Sequence, residues 1–92
     1  MDIESTRAVV ETMKASFNSH EFIEKYRDRY KNEYAQWLDR YGGWSDSERI
    51  VHRQIGRFLA AHADALHIRK AGREPSKNCH GHHSPVTKWE RL

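Results

Sequence analysis

Asp46-Ser-Glu-Arg-Ile-Val-His-Arg-Gln-Ile-Gly-Arg-Phe-Leu-Ala-Ala-His-Ala-Asp-Ala65 is the stretch on which the reading of this chain turns. At about 100° per residue, Val51, Ile55, Phe58, Leu59 and His62 gather on one side of a helix, which makes that side a core face. Arg49, Arg53 and Arg57 gather on the opposite side, one turn apart, with only Gly56 and Ala60 between them. Helix surfaces usually mix signs at this spacing, because opposite charges four residues apart support the helix and like charges oppose it. Three arginines over small residues form a low, basic ridge, able to enter a nucleic-acid groove or lie against an acidic surface. The plainer alternative is a solvated basic face with no partner.

The flanks extend the helical reading upstream. A first helix is expected over about 3–15, with Asp2 as N-cap and Ile3, Val9, Val10 and Met13 as its contacts. Ser16-Phe17-Asn18 is too short to classify alone. A long second helix over about 20–41, capped by Ser19, follows from Phe22, Ile23, Tyr26, Tyr30, Tyr34, Trp37, Leu38 and Tyr41, which form one broad stripe. That stripe reads as core with hydroxyls at the rim rather than as a base-stacking platform. Gly42-Gly43 should stop the helix with a left-handed cap. Ser45 and Glu48 have the spacing of a capping box that would start the third helix, about 46–65. His62 reads as a core histidine. A tight glycine turn between two helices is the helix-turn-helix arrangement.

Beyond Ala65 the pattern alternates. Leu66, Ile68 and Lys70 share one side of an extended segment, and Val86 to Leu92 reads as a second one anchored by Trp89. Together they make a hairpin over about 66–92 around a long polar loop.

Ninety-two residues suffice for one domain with a modest core. Hydrophobic residues are 37% of the chain, but ten aromatics argue against disorder. The net charge of +3 is unevenly placed: residues 1–45 hold seven Lys/Arg against eight Asp/Glu, and residues 46–92 hold nine against five. An anion-facing surface therefore belongs to the C-terminal half. The single cysteine excludes an internal disulfide and fits a reducing cytosol. Met1-Asp2-Ile3-Glu4 has no signal-peptide character, and no apolar run reaches the roughly 20 residues that span a bilayer, so a cytoplasmic protein without membrane contact is expected.

Order and patterning resemble a winged helix-turn-helix domain. The closest likeness lies in Ile50-Val-His-Arg-Gln-Ile-Gly-Arg-Phe-Leu59, followed by Leu66-His-Ile-Arg-Lys-Ala-Gly-Arg73 and Thr87-Lys-Trp-Glu-Arg91. This looks like a recognition helix running into a first wing strand, with a second strand ending in a tryptophan packed on the helices. Phe17-Asn-Ser-His-Glu-Phe-Ile23 is similar to the short strand and second-helix start of such domains. The resemblance implies a mostly α fold of three helices plus a small C-terminal β-hairpin, the wing, in one domain over 1–92. The second helix and the wing loop are both longer than is usual in that family.

Cys79-His80-Gly81-His82-His83 is the one cluster with metal-ligand chemistry, but its four ligands crowd into five residues, where a structural zinc site draws on separated segments. No metal site and no cofactor are expected. The chain has no G-x-S-x-G, H-E-x-x-H or phosphate-cradling glycine run, so it does not read as an enzyme. The leading expectation is a small regulatory protein binding double-stranded DNA. Ser47, Arg49, His52, Arg53, Gln54 and Arg57 of the third helix would meet the major groove, with His52 placed to touch phosphate. Arg69, Lys70, Arg73 and Lys77 of the wing would hold flanking phosphates. One such module makes few contacts, so two copies on one duplex, a homodimer, are expected. The alternative is an interaction module of the same fold, an accessory factor or inhibitor of the kind mobile elements encode. It would dock an acidic protein through the same ridge.

Overall fold

The computed structural model describes residues 1–42, 47–77 and 83–92, the last stretch without the side chain of His83. Its elements are α1 (Ile3–Val10), β1 (Ser16–Asn18), α2 (Ser19–Arg29), α3 (Lys31–Asp39), α4 (Ser47–Ala61), α5 (Ala63–Leu66), β2 (Ile68–Lys77) and β3 (His83–Arg91). The fold is mixed rather than mostly α. The helices accompany a three-stranded antiparallel sheet, β1-β3-β2, not a small hairpin alone.

Asp2 caps α1 as expected, accepting from the Ser5 amide at 2.7 Å. The helix stops at Val10, short of the expected 15. Tight turns follow, Thr12 N to Val9 O at 3.0 Å and Met13 N to Val10 O at 3.0 Å, and the Thr12 hydroxyl takes the same Val9 carbonyl at 2.7 Å. The chain must straighten here because Ser16–Asn18 pairs with Lys88–Glu90. Asn18, not Ser19, caps α2. It accepts from the Glu21 amide while Glu21 accepts from the Asn18 amide, both at 2.9 Å. That reciprocal pair is a complete capping box.

The long second helix is two helices. The chain breaks at Tyr30 (φ −120°, ψ 54°) with neither Pro nor Gly at the break. Packing supplies the cause: Phe22, Ile23 and Tyr26 join the core beside α1, whereas Tyr34, Trp37 and Tyr41 engage α4. One straight rod cannot serve both. The tyrosine stripe is core at Tyr26 and Tyr34 and half-buried at Tyr30 and Tyr41. α3 ends at Asp39 with Arg40 as a right-handed cap, and Gly42 does not take the left-handed conformation expected of it. Gly43, Ser45 and Asp46, on which the glycine turn, the capping box and the helix start rested, lie outside the described residues.

The third helix expected over 46–65 is α4 and α5, separated by His62 (φ −115°, ψ 20°), with His67 in the left-handed region (φ 56°) turning the chain into β2. The hairpin falls within the expected 66–92, but its strands, of ten and nine residues, run further into the stretch read as loop. Between Lys70↔Trp89 and Arg73↔Thr87, β2 carries one extra residue, a bulge that Gly72 absorbs at φ 107°.

The core gathers Val9, Val10, Phe17, Phe22, Ile23, Tyr26, Tyr34, Val51, Ile55, Leu59, Leu66, Ile68 and Trp89. Trp89 pairs with Phe17, and its indole donates to the Ser19 hydroxyl at 3.1 Å, tying the central strand to the start of α2. Phe58 and Trp37, expected in this cluster, are only half-buried. Phe58 sits at the rim against His62, ring centroids 4.3 Å apart, so His62 is a rim residue rather than a core one. Among the described residues no helix is long and apolar enough to cross a membrane.

Candidate nucleic-acid interface

α4 holds its basic ridge in a defined direction. Arg49, Arg53 and Arg57 are all exposed. Seen from Arg53, Gln54 lies about 100° to one side of the helix and His52 about 100° to the other, with Val51, Ile55 and Leu59 between them on the far side. Those three are fully buried. α3 crosses this far side, and the two flanking polar residues pin it. His52 Nε2 and the Tyr34 hydroxyl share a hydrogen bond of 2.7 Å. On the opposite flank the Trp37 indole donates to Gln54 Oε1 at 2.8 Å, and Gln54 Nε2 donates to the Tyr41 hydroxyl at 2.7 Å. Rotation of α4 would break both pins at once, so the ridge faces directly away from the helical layer.

The expected site residues therefore separate. Arg49, Arg53 and Arg57 form the outward ridge, and above Gly56 an added methyl would meet nothing within 4 Å. Ser47 opens α4 and is half-buried. His52 and Gln54 were expected beside the arginines on the groove side, but the structure turns both into the α3–α4 seam. Adjacency in sequence misled here, because neighbours on a helix point about 100° apart.

On the hairpin, Arg69 donates from Nε and Nη2 to Glu90 at 3.0 and 2.7 Å, an ion pair across neighbouring strands. Arg73 Nη2 donates to the Pro85 carbonyl at 3.1 Å, which lays its guanidinium along the hairpin. Lys70 and Lys77 are exposed, and neither makes a hydrogen bond or ion pair among the described residues. Glu74, facing Asn18, accepts from its amide at 2.9 Å and adds a negative charge to this surface.

Three arginines elsewhere carry structural contacts, whereas Arg27 and Arg40 make no hydrogen bond or ion pair among the described residues. Arg7 donates to Ala65 O at 3.0 Å, Arg29 to Ala8 O at 3.4 Å and Arg91 to Met13 O at 3.1 Å. No guanidinium of the ridge has any such partner among the described residues.

Beside the seam lies an open cleft of about 390 Å³ lined by Tyr26, Trp37, Tyr41, Gln54 and Phe58, with Glu33 and Arg40 at its rim. Burial, and then the Glu33 carboxylate, push the Tyr26 phenol above its ordinary value. Sequence reasoning missed this group. Its signal was a glutamine at the border of an apolar stripe, preceded by a helix rich in tyrosine and tryptophan. Cys79, His80 and His82 lie outside the described residues, and among the described ones no three His, Cys, Asp or Glu gather as a metal site.

No family model, curated protein or solved structure matches this chain.

Proposed function

We propose that this is a small winged-helix DNA-binding protein of regulatory type, with α4 in the major groove and the β2–β3 hairpin as a wing on flanking phosphates. The observation that carries this reading is the contrast among the arginines. Five are tied to carbonyls or to Glu90, and Arg27 on α2 and Arg40 at the end of α3 stand singly, while Arg49, Arg53 and Arg57 stand exposed, unpaired among the described residues and in line one turn apart on a single helix. Packing arginines this way without a partner costs mutual repulsion, and a polyanion relieves it. The open space above Gly56 supports close approach to a groove floor. The order α1, β1, α2, α4, β2, β3 agrees with the winged-helix resemblance, with α3 inserted between the two helices of the turn and the short α5 added between α4 and β2. Among the hairpin residues expected on phosphate, Lys70 and Lys77 are free of hydrogen bonds and ion pairs among the described residues, Arg73 keeps an unpaired charge while donating to the Pro85 carbonyl, and Arg69 is paired with Glu90.

A second reading draws support from the half-buried Trp37, Tyr41 and Phe58 around the cleft. An acidic protein docking on the ridge would find aromatic surface beside it, the composition favoured at protein interfaces. A salt titration of binding to random duplex DNA separates the two. DNA binding gives a log–log slope of about −0.9 per phosphate neutralised. Absence of binding at low salt leaves the docking reading.

A further inference from the structure

We infer that the α4 ridge selects guanines spaced about two base pairs apart, an inference that rests on the DNA-binding reading above. Three observations combine. The first is the side chains that remain available. Gln54, which would otherwise read adenine from α4, has its carbonyl held by Trp37 and its amide given to Tyr41. Glycine at position 56, in the middle of the ridge, offers no methyl to a thymine. Ala60, beyond Arg57, keeps a methyl, but the hydrogen-bonding groups that remain on the ridge are guanidinium groups, and a guanidinium matches the O6 and N7 acceptors of guanine with two parallel N–H donors.

The second observation is spacing. Arg49, Arg53 and Arg57 follow one another at four-residue intervals on a continuous α4. A rise of about 1.5 Å per residue separates neighbouring prongs by about 6 Å and the outer two by about 12 Å. Base pairs stack at about 3.4 Å, so a helix lying along the groove presents one prong to roughly every second base pair and spans four to five in all. The four-residue step also turns each prong about 40° from the last. Arg49 and Arg57 thus lean to opposite sides of Arg53, toward opposite strands, and the outer guanines belong to different strands.

The third is rigidity. The pins from His52 to Tyr34 and from Gln54 to Trp37 and Tyr41 hold α4 on both flanks. The ridge therefore reaches the duplex with its direction already set, as readout at single-base-pair spacing requires.

The test is selection of duplexes from a randomised pool by the full chain, followed by 7-deazaguanine substitution, which removes the N7 acceptor. The expected result is a motif with guanines about two base pairs apart. Deazaguanine at the central position should weaken binding about tenfold or more. Arg53→Ala should show a similar loss and then be indifferent to deazaguanine there, with thermal unfolding unchanged because Arg53 is exposed. Binding with a steep salt slope but no guanine enrichment overturns the inference while the DNA-binding reading stands. A parent that binds no duplex at low salt overturns both. An Arg53→Ala variant as sensitive to central deazaguanine as the parent also overturns the inference.

Discussion

Ile55→Ala and Phe58→Ala, taken together, test the rotational setting of α4 on which the ridge depends. Side-chain size alone ranks phenylalanine as the costlier loss, since Phe→Ala in a core costs about 3–5 kcal/mol and Ile→Ala about 2–5. The structure reverses the order. Ile55 is 0% exposed within the main cluster, so its three lost carbons leave a cavity walled by other core residues, and about 3–4 kcal/mol is expected. Phe58 is half-buried at the rim. Half of a full transfer term comes to roughly 1 kcal/mol, and its contact with His62 adds about 0.5, for about 1–2 in total. A domain of this size has roughly 5–14 kcal/mol of stability, so both variants should fold. Urea unfolding followed by circular dichroism reads the difference. With a slope of about 1–2 kcal/mol per molar, Ile55→Ala should lower the midpoint by roughly 2 M and Phe58→Ala by about 1 M or less. If Phe58→Ala proves as costly as Ile55→Ala, α4 is rotated from the setting described, and the direction of the ridge fails with it.

Gly56→Ala should raise stability by about 0.5–1 kcal/mol, because the site is helical and open, and thermal unfolding would register it. Gly56→Glu, equally tolerated by the fold, should abolish DNA binding through bulk and charge; retained binding in a filter or fluorescence assay would count against the groove-facing ridge. Gly72→Ala should cost about 1–3 kcal/mol, since its φ of 107° strains any side chain, and an unchanged melting temperature would contradict the bulge. The Ser5 amide, followed by its hydroxyl, holds the Asp2 carboxyl below the usual carboxylate range. A lowered folded value stabilises above the unfolded pKa and fades as pH falls through the folded one, so Asp2→Asn should narrow the gap between melting at pH 7 and at about pH 3. An unchanged gap would mean that the cap carries no charge-dependent share.

The apolar face of α4 was legible because helical periodicity is a local signal, and Val51, Ile55 and Leu59 are buried where 100° steps put them. The roles of His52 and Gln54 were not. Their partners are hydroxyl and indole groups on α3, and only packing decides which helix crosses which. The break at Tyr30 was equally silent, because Phe22 to Tyr41 keeps one unbroken apolar period while its two ends serve different neighbours. Ser16–Asn18 shows no strand pattern by itself. Only the resemblance implied a strand there, and what makes it one is pairing with residues 88–90 at the far end of the chain. Around the ridge, the three outward arginines were readable from spacing, but the commitment of Arg69 to Glu90 depended on strand register that a sequence does not display.

The central place of β3 in the sheet has a consequence for how the chain acquires its structure. β1 is built from residues 16–18 but finds its hydrogen-bonding partner only in residues 88–90, and Arg91 N closes onto Ala15 O at 2.8 Å. During synthesis every helix is complete before the strand that joins the two outer ones exists. Until then Phe17 and Ile68 lack the neighbour that covers them, and the chain carries exposed apolar surface. Closure across so long a stretch is slow compared with helix formation. Trp89 is thus expected to be a latch thrown last, and indole fluorescence from a variant that keeps Trp89 but replaces Trp37 and Trp44 should report the final step of folding.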